Sequence, residues 1–119
     1  MENSKTLKLT ESHRGGVKSF SFSGRPNGIE VRKELNLDEK DKDHFTYKIE
    51  LPSDTTSFNP SFYLGLFFDS IVTLKGIESF KEKYHIDIKS INKDFQTVIE
   101  ENLQECSRKA YNEYINPDR

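Results

Sequence analysis

Residues 59–74 read NPSFYLGLFFDSIVTL, the densest apolar stretch of the chain. Asn59 can cap a helix, and Pro60 can fill its first position, where the missing N–H would have no partner anyway. Behind them, Phe62, Leu64, Leu66, Phe67, Phe68, Ile71, Val72 and Leu74 leave little of the helix polar. A helix that is apolar all round is packed on more than one side, so this one is expected at the centre of the core. Gly65 costs about 1 kcal/mol of helix propensity relative to Ala, and close approach of the helix to a sheet would account for it. Gly76 is expected to end the helix as a left-handed cap residue.

Upstream, HFTYKIEL places Phe45, Tyr47, Ile49 and Leu51 on one face at period two, which predicts a strand ending at Pro52. Between strand and helix, PSDTTSFN is a polar loop. Near the start, KTLKLTE and VKSFSFS each alternate, the second through Val17, Phe20 and Phe22, with SHRGG as turn chemistry between them. Two short strands are expected there, open to pairing as a hairpin. A short helix is expected from Pro26 to Leu35, although Gly28 weakens its start. DEKDKD, residues 38–43, is a mixed-charge run of the kind that forms solvated turns. Downstream, IESFKEKY reads as a short helix, HIDIKSI as a strand, and Asn92 as the cap of a final helix. The stripe of that helix carries Phe95, Val98, Ile99, Leu103, Cys106, Ala110 and Tyr114. The order is two strands, helix, strand, helix pair, strand, helix. Such alternation predicts an α/β fold, a small mixed β-sheet flanked by helices with at least one parallel crossover.

The 119 residues fit one domain, 1–119. Only 33% are hydrophobic, but nine Phe and five Tyr give each apolar position a large area to bury. A net charge of −2, from 18 basic and 20 acidic residues, lacks the basic excess that drives binding to nucleic acid or anionic membranes, and both are disfavoured as partners. A single cysteine excludes an intramolecular disulfide and a multi-cysteine zinc site. The opening MENSKTLKLTE has no signal-peptide core, and no apolar run is long enough for a bilayer, so a cytoplasmic location is expected.

No catalytic constellation emerges from the residues. His13, His44 and His85 lie far apart, and none stands at the i, i+4 spacing of a helical metal site. Cys106 sits on an apolar stripe with no basic partner, as a small buried residue would. Phosphate-loop, nucleophile-elbow and dinucleotide signatures are all missing, so neither an enzyme nor a cofactor is expected. Two features stay open between a structural and a functional reading. SGRPNG, with Gly24, Arg25, Gly28 and then Arg32, is either an ordinary turn before a helix or a cluster of N–H groups and cations for an anion. Ser61, at the positive end of the 59–74 helix, is either an ordinary first-turn serine or a site where a phosphoryl group would be stabilised.

Taken together, SGRPNGIEVRKELNLDEKD, the strand after it, and FNPSFYLGLFFDSIVTLKGIESFKEKYHI resemble the STAS-like domain family of prokaryotes and their phages. The likeness spans Gly24 to Ile88 and is most specific at PSFYLGLF and GIESF. It implies a helix-flanked sheet related to anti-sigma factor antagonists, in which a Ser or Thr at this helix start is a phosphorylation switch. By that resemblance the switch falls on Ser61, with Asn59 where the antagonists usually carry Asp. Pro60 and the bulky Phe62 depart from their pattern of small residues. The expectation is a non-enzymatic regulatory module that docks a protein partner, ATPase or kinase-like, through Asp54, Thr55, Thr56, Ser57, Asn59 and Ser61. A small nucleotide- or anion-binding protein of phage or bacterial defence signalling, using SGRPNG and Arg32, is the alternative. Self-association is a further expectation, because FYLGLFF and the final helix carry more apolar surface than one small sheet covers.

Overall fold

The computed structural model describes residues 3–14 and 20–116. Along the chain run β1 (Ser4–Lys8), a 3₁₀ turn (Glu11–His13), β2 (Ser21–Phe22), α1 (Arg25–Leu35), α2 (Leu37–Lys40) and β3 (Thr46–Glu50). Next come β4 (Ser57–Phe58), α3 (Pro60–Thr73), α4 (Ile77–Lys83), β5 (Tyr84–Asp87) and α5 (Lys93–Ile115). The expected helices after Pro26, Asn59 and Asn92 form close to their anticipated bounds. Val17 and the Gly-Gly turn lie outside the described residues.

The pairing corrects the expected mixed sheet and hairpin. β1, β3 and β5 make one parallel sheet in that order, while β2 and β4 pair, also in parallel, in a second. Alternation marks a strand and its buried face, but nothing in it sets the direction of the partner. The order β1-β3-β5 never reverses, so right-handed crossovers carry both connecting segments over the same face. Tyr47 and Ile49 are buried under the helices, whereas Lys48 on the opposite face is exposed. Parallel sheets are usually covered on both faces; this one leaves a polar face bare. Thr6, Lys48 and His85 stand abreast on it, and Lys48 reaches Glu50 and Asp87 at 3.6 and 3.8 Å.

α3 is the centre of the core, as its composition predicts. Phe62, Tyr63, Leu66, Phe67 and Ile71 are buried. Phe62 packs with Phe22 and Phe58, one from each strand of the smaller sheet, at centroid distances of 5.3 Å. On the other side, Phe67 meets Phe80 at 5.0 Å and Phe80 meets Tyr84 at 5.4 Å. The apolar surround is incomplete, because Val72 is exposed and Ser61, Leu64 and Phe68 are only half-buried. Cys106 is fully buried beneath β4, while Val98, expected on the buried stripe of α5, is exposed.

Three local expectations change. Gly65 faces α1 and not a sheet: a Cβ there would stand 3.0 Å from Ile29 N and closer still to Arg25 O. Gly28 is its counterpart, since a Cβ on it would stand 2.8 Å from Leu66 N and closer still to Phe62 O. The two glycines let parallel helices touch backbone to backbone. At the end of α3 the left-handed residue is Lys75, at φ 66°, and Gly76 follows at φ 139° with its N–H bonded to Ile71 O at 3.0 Å. Finally, the 38–43 run is solvated only in part: Asp38, Glu39 and Lys42 are exposed, but Asp41 is buried. Asn36, at φ 58°, breaks α1 into α2, which buries Leu37 and delivers Asp41 into the core.

Candidate functional site

β2 leads into α1 and β4 into α3 by matching Ser-Phe steps, Ser21-Phe22 and Ser57-Phe58, whose hydroxyls bond each other across the pair. Because the strands are parallel and adjacent, the two helices start side by side. Gly24 is the N-cap of α1 and Asn59 that of α3, and neither has a side-chain cap bond. Neither first turn carries an acidic residue. Two uncompensated positive helix ends therefore lie together, and Ser61 stands between them. Its half-buried Oγ accepts the N–H of Gly24 at 3.1 Å.

Of the expected anion-binding set, Gly24 and Arg25 lie at this point. Arg25 is engaged by Glu113 of α5, donating to Oε2 at 2.7 Å, and its guanidinium stands 5.8 Å from the Phe68 ring. The Glu113 hydrogen bond, opposed by partial burial and aided by its charge, raises the Arg25 pKa above its ordinary value. Gly28 is a helix-crossing residue, as described, and Arg32 lies in the interior. The sequence brings these four together along one helix, but the fold separates them into surface, interface and core.

The segment expected to dock a partner is pinned rather than loose. Asp54 is exposed and accepts from Arg14 at 2.7 Å. Thr55 is 0% exposed, its hydroxyl donating to Pro52 O and accepting from Arg14, so it corrects the expected contact list: no partner can touch its side chain. Thr56 N donates to Phe20 O and Asn59 N to Phe22 O, which extends the β2–β4 pairing at both ends. Thr56, Ser57 and Ser61 are half-buried and Asn59 is exposed. Below Ser61, Leu64, Phe68 and Val72 continue along the outer side of α3 at spacings of three and four residues, where a helix shows one face.

Residues that carry no local signal build a buried polar cluster under the helices. Arg32, 5% exposed, donates to Leu66 O at 2.9 Å, Ser70 Oγ at 2.8 Å and Asp41 Oδ2 at 2.7 Å. Asp41, also 5% exposed, accepts in addition from Ser70 at 2.7 Å and from the Tyr84 hydroxyl at 2.6 Å. Burial opposes the charge on Arg32, and its bonds to Asp38 and Asp41 outweigh that and raise its pKa. Burial, with Asp41 as acceptor, pushes the Tyr84 hydroxyl up, so it stays a donor. Both carboxylate oxygens of Asp41 are satisfied, and the cluster ties α1, α3 and β5 to the end of α2. A smaller one joins Asp43, Tyr47 and Lys83, whose ammonium bonds Asp43 Oδ1 at 2.9 Å and Phe45 O at 2.6 Å. Only the odd apolar Leu37 ahead of the acidic run hinted that this segment turns inward.

The histidines are separate. Nδ1 of His13 accepts Thr10 N–H, which fixes the tautomer so that Nε2–H donates to Glu34 at 3.0 Å. His44 lies against Phe45, and His85 faces the bare side of the sheet. Among the described residues no group of three His, Cys, Asp or Glu is placed to hold a metal ion, and no described helix is long and apolar enough to cross a membrane. Comparison with family models, curated proteins and solved structures gives no match for the chain.

Proposed function

We propose that this chain is a non-enzymatic regulatory module that docks a protein partner through the start of α3 and the segment ahead of it, with Ser61 as its switch. The observation that carries the reading is the convergence of two uncapped, parallel helix N-termini on the half-buried Ser61 hydroxyl. A phosphoryl group on that oxygen gains from each helix end about 0.3–1 kcal/mol, or more where the site is partly buried. The likeness to STAS-like domains puts a phosphorylated Ser or Thr at this helix start and an ATPase or kinase-like protein as partner. The docking surface comprises Asp54, Thr56, Ser57, Asn59 and Ser61, with Leu64, Phe68 and Val72 as its apolar continuation. A cytoplasmic regulator fits this reading.

The test compares partners recovered quantitatively from the native host by the unmodified protein, Ser61→Ala and Ser61→Glu. A partner lost or gained with Ser61→Glu and retained with Ser61→Ala supports the switch; equal recovery by all three overturns it. The alternative, a small anion- or nucleotide-binding protein, draws on the same pair of helix ends, but it must do without Arg32, which Asp41 and Ser70 occupy. Thermal-shift titration with inorganic phosphate and with nucleotides separates the two. A ligand at a hundred times its Kd stabilises the fold by about 2.7 kcal/mol, and an unmoved transition excludes this second reading.

A further inference from the structure

β5 is an edge strand with β3 on one side only. Tyr84, His85 and Ile86 are consecutive in it, and all three line one groove of about 330 Å³. Successive strand residues point to opposite faces, so three in a row share a groove only when it runs along the strand's lateral edge. Among the described residues no backbone group bonds His85–Asp87 from that side. The groove is therefore bordered by a row of unpaired peptide groups, which is a template for a further strand. Its opposite wall is helical, formed by Gln104 and Ser107 of α5, and its floor is apolar, formed by Phe80 and Leu103. A slot between an edge strand and a helix is the geometry of strand addition, in which main-chain bonds supply affinity and alternate side chains enter pockets.

We propose that this edge is a second docking site, independent of Ser61, which takes an extended segment of a partner protein as an added strand beside β5. Every second side chain of that segment is apolar and enters the space over Phe80 and Leu103. An acidic residue of the segment meets Lys81, which lines the groove, is exposed and has no ion pair among the described residues. A second copy of this chain suits the slot less well, because pairing β5 with its counterpart brings the two α5 walls against each other.

The probe is a displayed library of random heptapeptides selected on the unmodified protein, with binding re-measured on Gln104→Trp and Lys81→Glu. Both positions are exposed, so the fold is kept; circular dichroism checks this, and either variant suffices for the test. The expected result is an enriched family with apolar residues at alternate positions and one Asp or Glu. Gln104→Trp, which fills the slot, weakens the best peptide at least tenfold, and Lys81→Glu turns the preference toward Lys or Arg. Amide exchange slows at least tenfold when the peptide binds at whichever of Ile86 and Asp87 turns its N–H away from β3. The proposal is overturned by the absence of an enriched family, by apolar residues at helical spacing, or by peptides indifferent to both variants. Self-association abolished by Gln104→Trp overturns it as well, since the edge then belongs to a second copy.

Discussion

Replacing Gly65 by Ala tests the backbone contact on which the proposed site rests. The added methyl stands 3.0 Å from Ile29 N and nearer to Arg25 O. Ordinary contact for such atoms is about 3.5–4.0 Å, so α1 and α3 must part by at least ~0.5 Å at Ile29 and by more at Arg25. Both atoms belong to helical backbone and no side chain can swing away, which places the cost near the upper end of the ~1–3 kcal/mol seen for overpacking. Alanine returns ~1 kcal/mol of helix propensity, leaving a net loss of about 2 kcal/mol. For a chain of this size that lowers Tm by roughly 6–10 °C. Urea unfolding followed by circular dichroism gives the free energy directly. Gly28→Ala behaves alike, and the double variant costs less than the sum, because the second methyl enters space the first has opened. A Gly65→Ala protein at least as stable as the original, with unchanged denaturant slope, would falsify the contact and with it the pairing of the two helix starts.

Asp41→Ala leaves the Arg32 guanidinium without its buried counter-charge and only the exposed Asp38 beside it, and a loss of about 3–5 kcal/mol is expected in the same unfolding measurement; a loss under about 1 kcal/mol would refute the buried pair as a major support of the fold. Asp43 responds to pH. Burial alone would raise its pKa, but hydrogen bonds from Lys83, Tyr47 and the Phe45 N–H hold it at about 2, below the ordinary 3.8. A depressed carboxyl stabilises the fold fully above its unfolded value and loses that contribution as pH falls through the folded one. Stability should therefore decline between about pH 4 and 2, and Asp43→Asn should be less stable at pH 6 and show a shallower decline; parallel profiles would remove the argument. The Cys106 thiol is pushed up to about 12 by burial and, secondarily, by Glu105. It should react with a thiol reagent at pH 8 only as fast as the protein unfolds, and labelling at the rate of a free thiol would show the α5–β4 contact to be open.

The position of Ser61 at a helix start was legible because Asn59 and Pro60 are local signals that act within one turn of chain. Its partner was not. That Gly24 lies 3.1 Å away follows from the parallel pairing of β2 with β4, and β4 is two residues long, too short to show a period inside what read as a polar loop. Arg32 read as an anion ligand or a solvent-facing cation. Its burial depends on Asp41, nine residues on, and on Ser70, far along another helix, and neither stands in a pattern that announces it. Gly28 and Gly65 each read as a weak point in a helix, and only together, across the α1–α3 crossing, do they show what a missing side chain permits.

Local signals were enough for the kind and order of most elements, the central place of α3, and the helix starts at Pro60 and Asn92. These follow from apolar period and from capping, which are settled over a few residues. Long-range packing settled that both sheets are parallel, that one face of the larger sheet is exposed, and that Asp41 of the charged run 38–43 is buried. Those outcomes depend on which distant groups meet, because a buried charge is tolerated only where its partners arrive with it.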